Sequence, residues 1–174
     1  TFGNLTKNPK RWKVVDLESI CVKITDGTHV TPKYIETGVP FISVKNLTHG
    51  GIGIDFKDVK YISESQHKEF TRTWRPTIGD ILYTKVGVNF GIAKRIETEE
   101  SFSIFVSVAL IKPKHEIVDT VFLEYLLNSE FIRHQARRRV RGIGVPDLHL
   151  REIRQFKVVL PPLLLQRKFG RTIE

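Results

Sequence analysis

The longest apolar run in the chain, Ser103-Ile104-Phe105-Val106-Ser107-Val108-Ala109-Leu110-Ile111-Lys112-Pro113, constrains the fold more than any other feature. Its β-branched and aromatic side chains lose rotamer freedom in a helix and pack well on a pleated surface. The run predicts a buried strand, ended by Pro113, which has no backbone donor to continue a ladder. No apolar run approaches the ~20 residues that cross a bilayer, so no membrane-spanning helix is expected.

The other segments read as short elements punctuated by turn formers. Val39–Val44, Val59–Ile62, Ile81–Val86, Ile92–Ile96 and Phe156–Leu160 predict strands, the third and fourth joined as a hairpin through Gly87 to Gly91. Asp16 predicts the cap of a short helix over Leu17–Val22, and Ser63 with Gln66 has capping-box spacing for a helix to Phe70. Asp119 or Thr120 opens a helix carrying Phe122, Leu123, Leu126 and Leu127, and a second helix runs from about Glu130 to Val140. Thr25–Pro32 and Asn46–Gly53 read as loops, and Leu163–Ile173 as the start of a helix cut off before it can pack. Strands and helices do not alternate regularly, so the expected class is α+β: a mixed, mostly antiparallel twisted sheet of short strands with short helices. Residues 1–13 are polar and basic and read as an opening segment to a single domain that extends to residue 162, with 163–174 as a separate helical start.

Charge narrows the function. Lys and Arg number 28 against 19 Asp and Glu, a formal net charge of +9. Such a surplus points to a polyanion, nucleic acid first and anionic membrane second. Cys21 is the single cysteine and allows neither an internal disulfide nor a cysteine-based zinc site. A reducing cytosol is therefore the natural compartment, and the spacing of Leu17, Ile20, Cys21 and Ile24 makes Cys21 a core residue. The N-terminus has no apolar signal region, and the absence of methionine suggests a chain cut from a longer product.

Little in the sequence points to catalysis. Gly51-Ile52-Gly53 is a lone turn-like pair without a phosphate-binding helix after it, and Asn8-Pro9-Lys10 is not the turn that DNA base methylation requires. Asp55-Phe56-Lys57, with Asp80 as a partner, has the local look of a Mg²⁺-dependent nuclease site, a match frequent by chance. The histidines at 29, 49, 67, 115, 134 and 149 form no close ligand pair, so neither a catalytic nor a metal residue is assigned.

Recognition of a nucleic acid needs cations for phosphates and polar loop residues for base edges. The phosphate layer would be Arg133, Arg137, Arg138, Arg139 and Arg141, with Gly142 and Gly144 permitting close backbone approach. A spacing of four places Arg133, Arg137 and Arg141 on one helical face. Base-reading candidates are Thr28, His29, Thr31, Lys33, Lys45, Asn46, Lys85 and Asn89; Asn suits adenine and Lys suits guanine. Each has a plainer alternative: the arginines as a solvated face, the threonines and Asn89 as turn residues, Lys45-Asn46 as a strand end.

Six stretches carry a resemblance: Asp26-Gly27-Thr28-His29-Val30-Thr31-Pro32-Lys33-Tyr34, Gly38-Val39-Pro40-Phe41-Ile42-Ser43-Val44-Lys45-Asn46-Leu47, Lys60-Tyr61-Ile62-Ser63, Gly79-Asp80-Ile81-Leu82-Tyr83-Thr84-Lys85-Val86-Gly87, Phe122-Leu123-Glu124-Tyr125-Leu126-Leu127-Asn128-Ser129, and Phe156-Lys157-Val158-Val159-Leu160-Pro161-Pro162-Leu163 with Gln166. In this order, from about Trp12 to Gln166, the chain resembles a target-recognition domain of the specificity subunit of type I restriction–modification enzymes. The resemblance implies a DNA-binding domain without catalysis that reads one half of a split duplex target. A second such domain, or a second copy, would read the other half. Methylation and restriction subunits would be the partners and would bring S-adenosylmethionine, ATP and Mg²⁺; this chain would carry no cofactor. Residues 163–174 would begin a spacer helix, truncated here, and Leu164-Leu165 stands where the family often has acids, so the sequence reads as a fragment or a half-length subunit. Competing readings are the specificity domain of a combined restriction–methylation enzyme, a Mg²⁺-dependent nuclease fragment, an RNA-binding module and a pure docking domain.

Overall fold

The computed structural model describes residues 7–49, 51–141 and 144–173. In chain order these form β1 (Lys13–Asp16), a 3-10 turn (Leu17–Ile20), β2 (Cys21–Asp26), β3 (Val39–Ile42), α1 (Val44–Thr48), β4 (Lys60–Ile62), α2 (Glu64–Phe70), β5 (Ile81–Thr84), β6 (Ala93–Arg95), β7 (Ser103–Ile104), β8 (Val108–Pro113), α3 (Thr120–Leu127), α4 (Glu130–Arg139), α5 (Leu150–Arg154), β9 (Lys157–Leu160) and α6 (Leu163–Ile173). The strands make a four-stranded sheet in the order β2-β8-β5-β6, a three-stranded sheet β4-β3-β7 and a two-stranded ribbon β1-β9. Among the described residues these strands pair antiparallel, except β3 with β7. This is the α+β, mostly antiparallel arrangement expected.

The central sheet explains why the strands read as unbroken apolar runs. Side chains alternate across a strand with period two. In β5, Ile81 and Tyr83 face the larger core with α3 and α4, whereas Leu82 faces the smaller one with Ile42, Leu47 and Phe102. In β8, Ala109 and Ile111 take the first side, and Val108 and Leu110 the second. With both faces covered there is no polar alternation to read.

The same covering hid a break. Residues 103–113 form two strands in two sheets, not one. Phe105 turns the chain: its amide donates to the Ile42 carbonyl (3.0 Å), and the Val108 amide donates back to the Phe105 carbonyl (2.9 Å). The Phe105 ring packs against Phe41 at a centroid distance of 6.0 Å, so the turn is apolar and leaves no mark in the sequence.

Other expectations are also corrected. Helix does not extend to Val22; Cys21 starts β2, because β8 offers a pairing edge. Asp16 makes no side-chain cap; its carboxylate accepts from Lys157 Nζ at 2.7 Å across the ribbon. Burial pushes the Cys21 thiol up to about 12, so it stays protonated, consistent with a core residue. The supposed loop from Asn46 begins inside α1, closed by a reciprocal Ser43–Asn46 capping box. β1 and α5 carried no recognised signal. The helix at 163–173 does pack: the Phe169 ring meets Phe122 and Tyr125 edge-on at 6.3 and 4.8 Å. The buried Gln166 amide donates to the Pro161 and Ile117 carbonyls and accepts from the Asp119 amide. Ser63, Asp119 and Ser129 cap α2, α3 and α4 through their side chains, Ser63 and Asp119 as expected.

Gly27 is where β2 crosses toward β7. A Cβ there would stand 1.9 Å from the Ile104 carbonyl oxygen, and the following amide, of Thr28, donates to that oxygen at 3.0 Å. Gly27→Ala should therefore cost roughly 2–3 kcal/mol, as overpacking against backbone does. The urea midpoint should fall with its slope unchanged; a shift worth less than about 0.5 kcal/mol would mean the strands separate freely there.

Candidate nucleic-acid interface

Segments distant in sequence meet at one end of the central sheet: the loop after β2, the turn between β5 and β6, and the stretch from Arg141 to His149. Val86 bridges Asp147, the Gly87 amide donates to the Pro146 carbonyl (2.9 Å), and the Leu148 amide donates to the Lys85 carbonyl (2.8 Å). Arg141 and Asp147, which flank Gly144, exchange backbone hydrogen bonds of 2.9 and 2.8 Å. Gly144 sits there at φ +98° with open space around its Cα, so its backbone conformation, not crowding, favours glycine. Gly142 lies outside the described residues.

Lys85 is the centre of this junction. Its side chain is only 7% exposed, and its ammonium lies 3.4 Å from an Asp26 oxygen and 3.8 Å from an Asp147 oxygen. Lys85, expected to face a base, is held inward instead: a buried ammonium is held where carboxylates compensate its lost hydration. His29 and His149 stand outside the same carboxylates, at 3.4 Å from Asp26 and 3.9 Å from Asp147. Asp26 and Asp147 are the residues that the sequence reading missed. The only hint was an acid within each polar loop of a basic chain; their shared partner lies 59 residues from Asp26 and 62 from Asp147 and is invisible locally.

Asn46 is likewise held inward. It is buried, its carbonyl accepts from the Ser43 amide (2.9 Å), and its amide donates to the Asp55 and Asp58 carbonyls at 3.1 and 2.9 Å. Every strong hydrogen-bonding group it has is spent on folding the stretch after α1. Lys45 is exposed beside it and pairs with Asp58. These two lie apart from the junction, on the β3–α1 connection. Thr28 shapes a turn: its hydroxyl accepts from the Val30 amide at 3.1 Å. His29, Thr31 and Lys33 are exposed along that loop, and Asn89 is exposed at the β5–β6 turn.

The arginines divide by partner. α4 buries Ile132 and Ala136, which turns Arg133 and Arg137 toward the β5–β6 turn. With Val88 to Ile92 they line a shallow groove of about 270 Å³, so candidates from both layers meet on one surface. The side chains of Arg133 and Arg138 form no hydrogen bond or ion pair among the described residues, and both residues are exposed. Arg137 pairs with Glu130, an exposed contact that is worth little. Arg139 is different: it donates to Gln135 (3.1 Å), approaches Glu152 (4.0 Å) and lies 5.7 Å from the Phe156 ring centroid, so it braces α4 against α5. Arg141 lies beyond the end of α4, not on its face, and reaches Glu152 at 3.7 Å while remaining exposed.

The nuclease-like residues do not converge on a metal. Asp80 accepts from the Thr77 amide and hydroxyl, both at 2.8 Å, and pairs with Lys112, while Asp55 accepts from the Lys57 amide at 2.8 Å. Among the described residues no group of three or more His, Cys, Asp or Glu is placed to hold a metal ion, and no helix is long and apolar enough to cross a membrane.

A cationic groove beside a set of pinned loops, on an α+β frame, defines a recognition domain for a polyanion. The sequence narrows this further: over residues 9–174 it matches the type I restriction modification DNA specificity domain, and the chain belongs to that family. It is 25% identical over 173 residues to the specificity subunit of the type I restriction enzyme MjaVIII of Methanocaldococcus jannaschii, an alignment covering 95% of this chain and 39% of that subunit. The fold is similar to the HsdS subunit of Thermoanaerobacter tengcongensis, with TM-score 0.69 and 19% identity over 95% of this chain and 42% of that one. It is also similar to the type I S subunit of M. genitalium, with TM-score 0.62 and 12% identity over 94% and 38%. The chain thus spans about two fifths of the length of these relatives. The family supplies the DNA specificity of type I restriction–modification systems.

Proposed function

We propose that this chain reads a few base pairs of duplex DNA as one half of a bipartite target, within a type I restriction–modification assembly in the cytoplasm. A second recognition domain, or a second copy, reads the other half. The modification and restriction subunits, with their S-adenosylmethionine, ATP and Mg²⁺, act where the two halves place them; this chain binds no cofactor. The observation that carries this reading is the meeting of Arg133 and Arg137 with the β5–β6 turn in one groove, beside the loops tied together at Lys85. Exposed cations grip phosphates, while His29, Thr31, Lys33 and Asn89, on pinned backbone, present donors and acceptors to base edges.

An RNA module would need exposed stacking aromatics. Phe41, Phe102, Phe122, Phe156 and Tyr83 are instead buried in the cores, and the exposed Tyr34 and Tyr125 stand apart as single rings packed edge-on against Phe41 and Phe169. A nuclease would need free carboxylates beside a cation, and Asp80 is committed to its own turn. The test is selection from a randomised duplex library by the protein: one short motif should be enriched, and its binding should weaken steeply with salt. Enrichment of nothing, or equal retention of single-stranded RNA, would overturn the proposal.

A further inference from the structure

Resting on that DNA-recognition reading, we propose that Val88 and Val145 are specificity-determining residues that read thymine through its 5-methyl group in the major groove. The two residues are 84% and 62% exposed, although each side chain is large enough to be worth burying. They belong to one construction. Lys85 pairs with Leu148, Val86 with Asp147 and Gly87 with Pro146, and Val88 and Val145 are the next residues of the two segments beyond that last pair. Gly87 lies at φ +90° and its carbonyl accepts from the Phe90 amide (3.2 Å), which makes Val88 and Asn89 the tip of a tight turn. Gly144, at φ +98°, turns the other strand beside Val145. The base of this projection is fixed by the buried ammonium of Lys85, and Arg133 and Arg137 share a groove with Val88.

A surface that only held phosphates would gain nothing from aliphatic tips. Projecting, preformed and flanked by cations, they fit a groove that presents both charge at its edges and apolar groups at its floor. The major groove admits a two-stranded ribbon, and among the unmodified bases thymine alone puts a methyl group there. Removing one such methyl from water is worth about fourfold in affinity, the equivalent of ~0.8 kcal/mol. Asn89, beside Val88 at the tip, offers the amide that pairs with adenine, so an A·T-containing half-site is expected.

The experiment uses the motif selected from the duplex library. Each thymine in it is replaced singly by deoxyuridine, which lacks only the 5-methyl group, and binding is measured for the wild-type protein and for Val88→Ala and Val145→Ala. Both positions are exposed, so the variants should fold normally. At one or more positions deoxyuridine should weaken the wild type by about fourfold, and one valine variant should bind the thymine and deoxyuridine duplexes equally well. A motif without an A·T pair, tolerance of deoxyuridine everywhere, or a penalty that persists in both variants would overturn this assignment while leaving DNA recognition intact. Failure to enrich any duplex would instead overturn the reading on which it rests.

Discussion

Lys85→Met should lower the unfolding free energy by about 3 kcal/mol. Methionine keeps most of the apolar stem but leaves Asp26, whose side chain is 12% exposed, without the ammonium that faces it. Breaking a buried pair by removing one member typically costs about 3–5 kcal/mol, because the surviving charge remains buried and uncompensated. The lower end applies here, since Asp147 is 37% exposed and keeps part of its hydration. The loss should appear as a lower urea midpoint at constant slope. Adding Asp26→Asn removes the stranded charge, so the double variant should be more stable than Lys85→Met alone. Where the Lys85→Met protein is still folded, sequence discrimination should fall more than overall affinity, because the loops after β2 and around Asp147 lose their common tether. A cost below about 1 kcal/mol would show that water, not the carboxylates, solvates Lys85.

Arg133→Ala, Arg137→Ala and Arg138→Ala combined should weaken binding to every duplex by roughly a hundredfold at 0.1 M salt. Each phosphate neutralised contributes about −0.9 to the slope of log affinity against log salt, so losing three contacts removes about 2–3 from the slope. Extrapolated from 1 M, where the term vanishes, that slope corresponds to two to three orders of magnitude, and the lower figure allows for Arg137 being shared with Glu130. The motif should not change, because these contacts carry no sequence information. All three side chains are exposed, so stability should stay within about 0.5 kcal/mol. Arg139→Ala is the contrasting control. Its contacts with Gln135, Glu152 and Phe156 predict a loss of stability with little change in slope. An unaltered slope in the triple variant would make the α4 arginines a solvated helix end whose charges merely complement the helix dipole.

These two predictions separate what holds the recognition surface together from what attracts DNA to it, and the distinction runs through the site residues. Arg133, Arg138, His29, Thr31, Lys33 and Asn89 are exposed as a contact residue must be. Lys85 and Asn46 carry equally suitable chemistry but are buried, one as the tie between loops and the other as the organiser of α1. Residue type alone does not divide the two groups, because the property that suits a side chain to a base edge also suits it to a buried polar network.

The sequence by itself determined the elements whose causes are local. Side-chain caps at Ser63 and Asp119, the β-branched runs of β5 and β8, the glycine-bearing turn between β5 and β6, and the bounds of α6 all arise from neighbours within a few residues. Overall charge, and with it the class of partner, was legible too. The tertiary structure alone decided that residues 103–113 divide between two sheets and that α6 packs on α3. It also decided that Lys85 turns inward to Asp26 and Asp147 while Val88 and Val145 turn outward. Each of those outcomes depends on which surface covers a residue. Covering is supplied by segments far away in the chain, so the free energy that decides between burial and exposure is set only when those segments meet.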